Sequence, residues 1–184
     1  MSDTPRIDDQ AAFAGDPDGW ERLWTPHRMA YIEGDRPSPV AGTGCPFCDA
    51  PQRDDDDSLI VHRGELCYAV LNLFPYNPGH LLICPYRHVP GYIDLDGDEL
   101  AEFTTMTREG IRALTAALSP MGFNLGMNQG EVAGAGVAAH LHQHIVPRWG
   151  GDSNFFPIVA RTKAMPTLLG DTRRKVADAW AALV

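Results

Sequence analysis

Three histidines alternate along one short stretch of the chain, His140-Leu141-His142-Gln143-His144, followed by Ile145-Val146-Pro147. In an extended strand successive side chains point to opposite faces, so residues at a spacing of two share a face. The three imidazoles are therefore expected on one side of a strand over residues 140–147, about 7 Å apart from one to the next. A row of rings that titrate near neutrality suits metal binding, proton transfer or nucleophilic attack. Glycine-rich sequence lies just upstream and Pro147 downstream, which marks the row as a bounded unit.

The four cysteines divide into two kinds. Cys67 and Cys84 each stand alone in apolar sequence (LCYAVL and LLICP) and read as small core residues. Cys45 and Cys48 form Cys-Pro-Phe-Cys, a spacing that belongs to a redox pair or to half of a metal site. A redox pair usually opens a helix after a strand, whereas this one follows the Pro/Gly-rich PSPVAGTG and precedes the acidic run 54–57. Zinc is the better reading, provided that two further ligands come from elsewhere.

Charge narrows the classes of partner. A formal net charge of −9 argues against non-specific binding to long nucleic acids or to anionic membranes. A small anionic ligand is still compatible, because a pocket can be locally positive in an acidic protein. No hydrophobic run approaches the ~18 residues that a membrane span needs, and the N-terminal stretch has no apolar signal core. The expected location is the cytoplasm.

Periodicity gives an α+β organisation. Residues 1–18 read as a flexible N-terminal segment. Residues 19–33 are amphipathic, with Trp20, Leu23 and Trp24 as anchors and Pro26 interrupting any long helix. The acidic run 54–57 reads as a solvated loop. Strand signals cover 59–62, 67–73 and 80–84, with a turn cluster Pro75-Tyr76-Asn77-Pro78-Gly79 before the third. The longest helix is expected over 97–118, capped by Asp96 or Asp98, with Leu100, Phe103, Thr107, Ile111, Leu114 and Leu118 on its packing face and Pro120 just past its end. A strand is expected at 123–128, a mobile loop at 130–136, the triad strand at 140–147 and a second helix at 166–183, packing through Leu168, Leu169, Val176 and Trp180. Closely spaced strands, a helix and then more strands suggest an antiparallel sheet.

From Asn72 to Trp149 the chain resembles the histidine-triad (HIT) family of nucleotide hydrolases and transferases. The family alternates His with mostly apolar residues and then has two apolar residues, as His140–Val146 does. Gln143 departs from that pattern, but on the face away from the rings. The resemblance also rests on Asn72 eight residues before His80 in Pro-Gly-His, on Pro85-Tyr86-Arg87-His88, and on Gly130-Glu131-Val132-Ala133-Gly134. The flanking LWTPHRM and PRWGGDSNF are similar to the branch containing diadenosine tetraphosphate phosphorylases, which extends the likeness over most of residues 20–180.

The resemblance implies a single HIT-like domain over 19–184, with a zinc loop at 40–58, about five antiparallel strands under one long helix, a C-terminal helix and a C-terminal extension at 150–184. It implies nucleotidyl transfer on dinucleoside polyphosphates, with His142 attacking the α-phosphorus to give a nucleotidyl-histidine, and His144 and His140 assisting. Hydrolysis of dinucleoside polyphosphates or phosphoramidates is the alternative within catalysis, and a non-catalytic nucleotide-binding module is the alternative outside it. Asn72 takes the ribose position, and His80, Asn128, Gly134 and Gly136 line the phosphates. Many relatives carry a hydroxyl or amide side chain where this chain has Ala135, Gly136 and Val137, so backbone amides are expected to serve instead. Cys45, Cys48, His88 and His140 form a closed structural zinc set. Members usually dimerise, which gives a homodimer as the expected assembly.

Overall fold

The computed structural model describes residues 44–152 and 165–183, all within the unit Asp35–Val184. The expectations for residues 1–18 and 19–33, for His27 and for most of 150–164 fall outside these residues. The described elements are, in order, α1 (Pro46–Asp49), a 3₁₀ turn (Ala50–Gln52), α2 (Asp55–Ser58), β1 (Ile60–Arg63), β2 (Cys67–Leu71), β3 (Leu81–Pro85), a 3₁₀ turn (Tyr92–Asp94), α3 (Gly97–Leu118), β4 (Gly122–Gly126), a 3₁₀ turn (Glu131–Ala133), β5 (Gln143–Arg148) and α4 (Leu169–Ala181).

The five strands make one antiparallel sheet in the order β1-β2-β3-β5-β4. Every residue of β2 and β3 is buried, as expected of central strands covered on both faces. On one face, Leu81, Ile83 and Ile145 pack with Phe103, Met106, Ala113 and Leu114 of α3 and with Val176 and Trp180 of α4. On the other, Tyr68, Val70, Leu82 and Cys84 pack with Ile60 and Ala50, and Phe47 lies against them. Cys67 and Cys84 are both fully buried, as the sequence predicts.

Helix α3 has the bounds that the sequence predicts, and Asp96 caps it. The Asp96 carboxylate accepts from the backbone N–H of Asp98 and Glu99, and Glu99 reaches back to the Asp96 N–H. Such a reciprocal cap is worth about 1 kcal/mol. The packing face is the expected one in part: Phe103 and Leu114 are buried, and Ile111 and Leu118 pack against the core. Its buried positions are Glu99, Phe103, Met106, Gly110, Ala113 and Leu114, while Leu100 is exposed. Gly110 accounts for the shift: a Cβ there would lie 3.0 Å from Leu81 and 3.3 Å from Trp180, so the helix rests on the sheet and on α4 through a residue without a side chain. In α4, Thr172, Val176 and Trp180 are buried and Leu168 is exposed, a second departure from the expected packing list.

The acidic run is solvated, as expected, with Asp54, Asp56 and Asp57 exposed, but it is not a plain loop. Residues 55–58 form the short helix α2, and two of its three aspartates are paired, Asp55 with Arg63 at 2.8 Å and Asp56 with Arg173 at 2.6 Å. Arg173 also donates to the Ile60 carbonyl, so α4 is tied to β1 by the same side chain. The loop expected at 130–136 is present and carries a 3₁₀ turn flanked by Gly130 and Gly134.

Candidate active site and metal centre

The triad straddles a boundary. Only His144 lies within β5; His140, at a bend, and His142 sit in the segment that leads into the strand. The predicted strand over 140–147 therefore begins three residues late. The segment is still pinned, because the buried Leu141 donates its N–H to the Val89 carbonyl at 2.7 Å. His144 faces Leu82 of β3 and Gly126 of β4 across the sheet, on the side opposite α3. The rings of His142 and His144 lie 5.0 Å apart, edge to face, closer than ideal strand spacing.

Each ring's tautomer follows from a partner that can only give or only accept. A carbonyl only accepts, so the His142 Nδ1 facing the His140 carbonyl at 2.9 Å carries the proton. Its Nε2 is thereby left with the lone pair. A backbone amide only donates, so His80 Nδ1, which receives the Tyr76 N–H at 3.0 Å, is unprotonated. The Asn72 side-chain amide approaches the same nitrogen at 3.3 Å. His80 Nε2 then carries the hydrogen and donates it to His144 Nδ1 at 2.8 Å. His144 in turn holds its proton on Nε2, as a donor. The partner that sets the His142 tautomer is a main-chain oxygen two residues back.

These rings are held neutral. Burial pushes all three triad imidazoles below the ordinary 6.5, and for His144, with His142 beside it, to about 4. For His140 and His142 the bonds to backbone carbonyls oppose that effect only in part. A buried neutral imidazole is a competent nucleophile that carries no proton on its attacking nitrogen.

His140 turns the other way. Its Nε2 donates to the Pro85 carbonyl at 2.9 Å, which leaves the Nδ1 lone pair 3.3 Å from Cys45 Sγ and 3.5 Å from Cys48 Sγ. His88 Nδ1 lies 3.2 Å from Cys48 Sγ. The four ligand atoms are all within 4.8 Å of one another. Cys45 occupies the N-cap position of α1, with Pro46 opening the helix. The Cys-Pro-Phe-Cys segment thus begins a helix, as a redox pair would, yet its sulfurs face two imidazoles.

Of the other expected site residues, His80 is buried at 1 % exposure and joins the triad directly through His144. Asn72 also accepts the Phe74 N–H at 3.0 Å. Asn128 lies two residues beyond Gly126, the partner of His144 across the sheet, and its amide approaches the Gly134 carbonyl at 3.5 Å. Gly134 sits in the left-handed region at φ 81°, and Gly136 follows in the same loop toward His140. Arg148 forms a two-point contact with Asp152 at 2.6 and 2.9 Å, and Asn77 donates both to Asp152 and to the Pro147 carbonyl. These bonds tie the turn before His80 to the end of β5. His62 is a packing residue, stacked 4.8 Å from Trp180. Sequence reasoning missed the Tyr76 amide and Phe47, whose ring centroid lies 4.7 Å from that of His142. The adjacency of Phe47 to the cysteines was the available signal.

An antiparallel five-stranded sheet carrying buried, alternating imidazoles beside a Pro-Gly-His turn defines a class, and the sequence comparison agrees: residues 53–151 match the HIT domain, and the chain belongs to that family. Among individual relatives, the AP-4-A phosphorylase of Mycobacterium tuberculosis is 47% identical over 193 aligned positions, covering 98% of this chain and 98% of that protein. The crystal structure of a hypothetical histidine triad nucleotide-binding protein from Sulfolobus tokodaii strain7 superposes with a TM-score of 0.62 at 27% identity, over 76% of this chain and 93% of that one. A Zn-bound histidine triad family protein from Mycobacterium smegmatis shares the fold at a TM-score of 0.56 and 22% identity, over 84% of this chain and 91% of that one.

Proposed function

We propose that this protein transfers a nucleotidyl group from dinucleoside polyphosphates, and that its reaction is the phosphorolysis of diadenosine tetraphosphate. The observation that carries this reading is the His142 Nδ1–H bond to the His140 carbonyl, which directs the lone pair to Nε2. The near full-length likeness to the mycobacterial phosphorylase supports the choice of substrate.

In the first step His142 Nε2 attacks the α-phosphorus of one adenylyl group. A P–N bond forms, the P–O bond to the rest of the chain breaks, and ATP leaves with that electron pair. In the second step an oxygen of inorganic phosphate attacks the same phosphorus, the P–N bond breaks, and ADP leaves while the lone pair returns to Nε2. The His144 Nε2–H donates to the phosphoryl oxygens as their charge redistributes, and the His80 bond holds that ring in the donor tautomer. Asn72 keeps its second Oδ1 lone pair for a ribose hydroxyl. Asn128 and the backbone of Gly134 and Gly136 line the phosphates, in place of the hydroxyl and amide side chains that other relatives carry.

The cysteine–histidine cluster fits zinc. Two sulfurs and two imidazole nitrogens are the soft tetrahedral donor set of structural sites, and tetrahedral bonds of ordinary length would space sulfur and nitrogen about 3.6 Å apart, close to the 3.2–3.5 Å found. Held by Cys45, Cys48, His88 and His140, the ion would anchor the 40–58 loop to the segment bearing the triad. The assembly we infer is a cytoplasmic homodimer. Edge strand β4, with Leu125 about half exposed, and the long helix α3 are the surfaces available to it.

Incubation with diadenosine tetraphosphate, with and without phosphate, tests the reading. ADP and ATP formed only with phosphate are expected. AMP and ATP formed regardless of phosphate would make the protein a hydrolase, and absence of turnover would leave a binding module.

A further inference from the structure

One hydrogen bond, from His142 Nδ1 to the His140 carbonyl, sets the rotation of the ring about its Cβ–Cγ bond. The plane is bounded by two neighbours, His144 at 5.0 Å and the phenyl ring of Phe47 at 4.7 Å, tilted by 38°. Phe47 also meets His140 edge-on at 5.5 Å. It stands between Cys45 and Cys48, and its backbone is held independently of them: the hydroxyl of the fully buried Tyr68 donates to the Phe47 carbonyl at 2.6 Å. Its side chain lies against the apolar cluster that contains Ala50, Val70 and Leu82. The residue against the nucleophile is thus carried by the loop that bears two of the four clustered metal-type ligands, and is anchored to the sheet from below.

We propose that Phe47 is a positioning residue, the plate against which the His142 imidazole is held so that Nε2 faces phosphorus, and that it transmits the order of the cysteine loop to the reaction. The proposal rests on the reading of His142 as nucleophile. In-line attack tolerates little error in angle, and a misplacement of about 1 Å can cost on the order of a hundredfold in rate. An aliphatic side chain fills volume at this point without presenting a flat face, so it would hold less tightly the ring orientation that the hydrogen bond sets.

The test compares the full-length protein with Phe47→Leu, Phe47→Tyr and Tyr68→Phe. Steady-state kcat and KM for diadenosine tetraphosphate with phosphate are measured together with the imidazole C–H proton resonances of His142, assigned by their loss in His142→Asn. In the parent protein these resonances are expected to be displaced by the ring current of Phe47. Phe47→Leu should move them toward ordinary histidine positions and lower kcat at least about tenfold, with KM within about twofold and circular dichroism unchanged. Phe47→Tyr should restore kcat to within about threefold. If Phe47→Leu does not fold, Tyr68→Phe, which removes only the hydroxyl holding the Phe47 backbone, should show the same changes in smaller degree. Unmoved His142 resonances, unchanged kcat, or a raised KM with kcat intact would overturn the proposal, the last because it marks a wall of the nucleotide pocket instead. If the parent protein turns over nothing, the reading of His142 as nucleophile fails, while the resonances still report whether Phe47 holds the ring.

Discussion

Two main-chain groups set the tautomers of three rings. The Tyr76 N–H fixes His80, His80 fixes His144, and the His140 carbonyl fixes His142. His142→Ala is expected to lower turnover at least about a thousandfold, as removal of a covalent nucleophile does elsewhere, with the fold and the thermal midpoint preserved. Acid should act through His144. Its folded pKa of about 4 lies below the ordinary 6.5, so between those values the unfolded chain binds more protons than the folded one. Stability should be full above pH 6.5, fall as the pH drops toward 4 and level off below it. Urea midpoints from pH 7 to pH 4 check this, and His144→Asn should flatten the slope. The triad was legible because imidazoles in strict alternation are a chemical pattern carried by side chains. The Tyr76 amide and the His140 carbonyl were not, because every residue has those groups and only the folded path aims them.

At the scale of elements, the capping aspartate and the proline beyond its end made the 97–118 helix readable to its bounds. On its packing face Phe103 and Leu114 are readable, whereas an apolar count favours the exposed Leu100 and passes over Gly110, which lies against Leu81 and Ile145. The strand expected to begin at His140 begins at Gln143, because the last described pairing of β5 with β3 is Ile83 with Gln143 and the chain before it bonds to Val89 instead. The metal loop carries its own prediction: the protein should contain about one zinc per chain, lost in Cys48→Ser, with a lowered thermal midpoint as the loop loses its anchor. Elemental analysis and a melting curve measure both. A second concerns the turn that delivers His80. Gly79 has φ 74°, and a Cβ there would come 2.4 Å from Leu118. Gly79→Ala should therefore cost roughly 1–3 kcal/mol in denaturant unfolding.

For the molecule as a whole, the sheet separates two tasks. The face under α3 and α4 is plain hydrophobic core. The opposite face carries the cysteine loop, the triad and the Pro-Gly-His turn, so the proposed site and the larger apolar cluster lie on different sides. Among the described residues no helix is long and apolar enough to cross a membrane. The homodimer reading is checked by light scattering, which should give twice the chain mass; a monomer with full turnover would remove the dimer from the account. The most direct measurement for the central claim is the intact mass of the protein, quenched shortly after mixing with diadenosine tetraphosphate in the absence of phosphate. A gain of a single adenylyl group, mapped by peptide fragmentation to His142 and discharged as ADP when phosphate is added, is the predicted result. Steady turnover with no such adduct, and with activity persisting in His142→Ala, would contradict it.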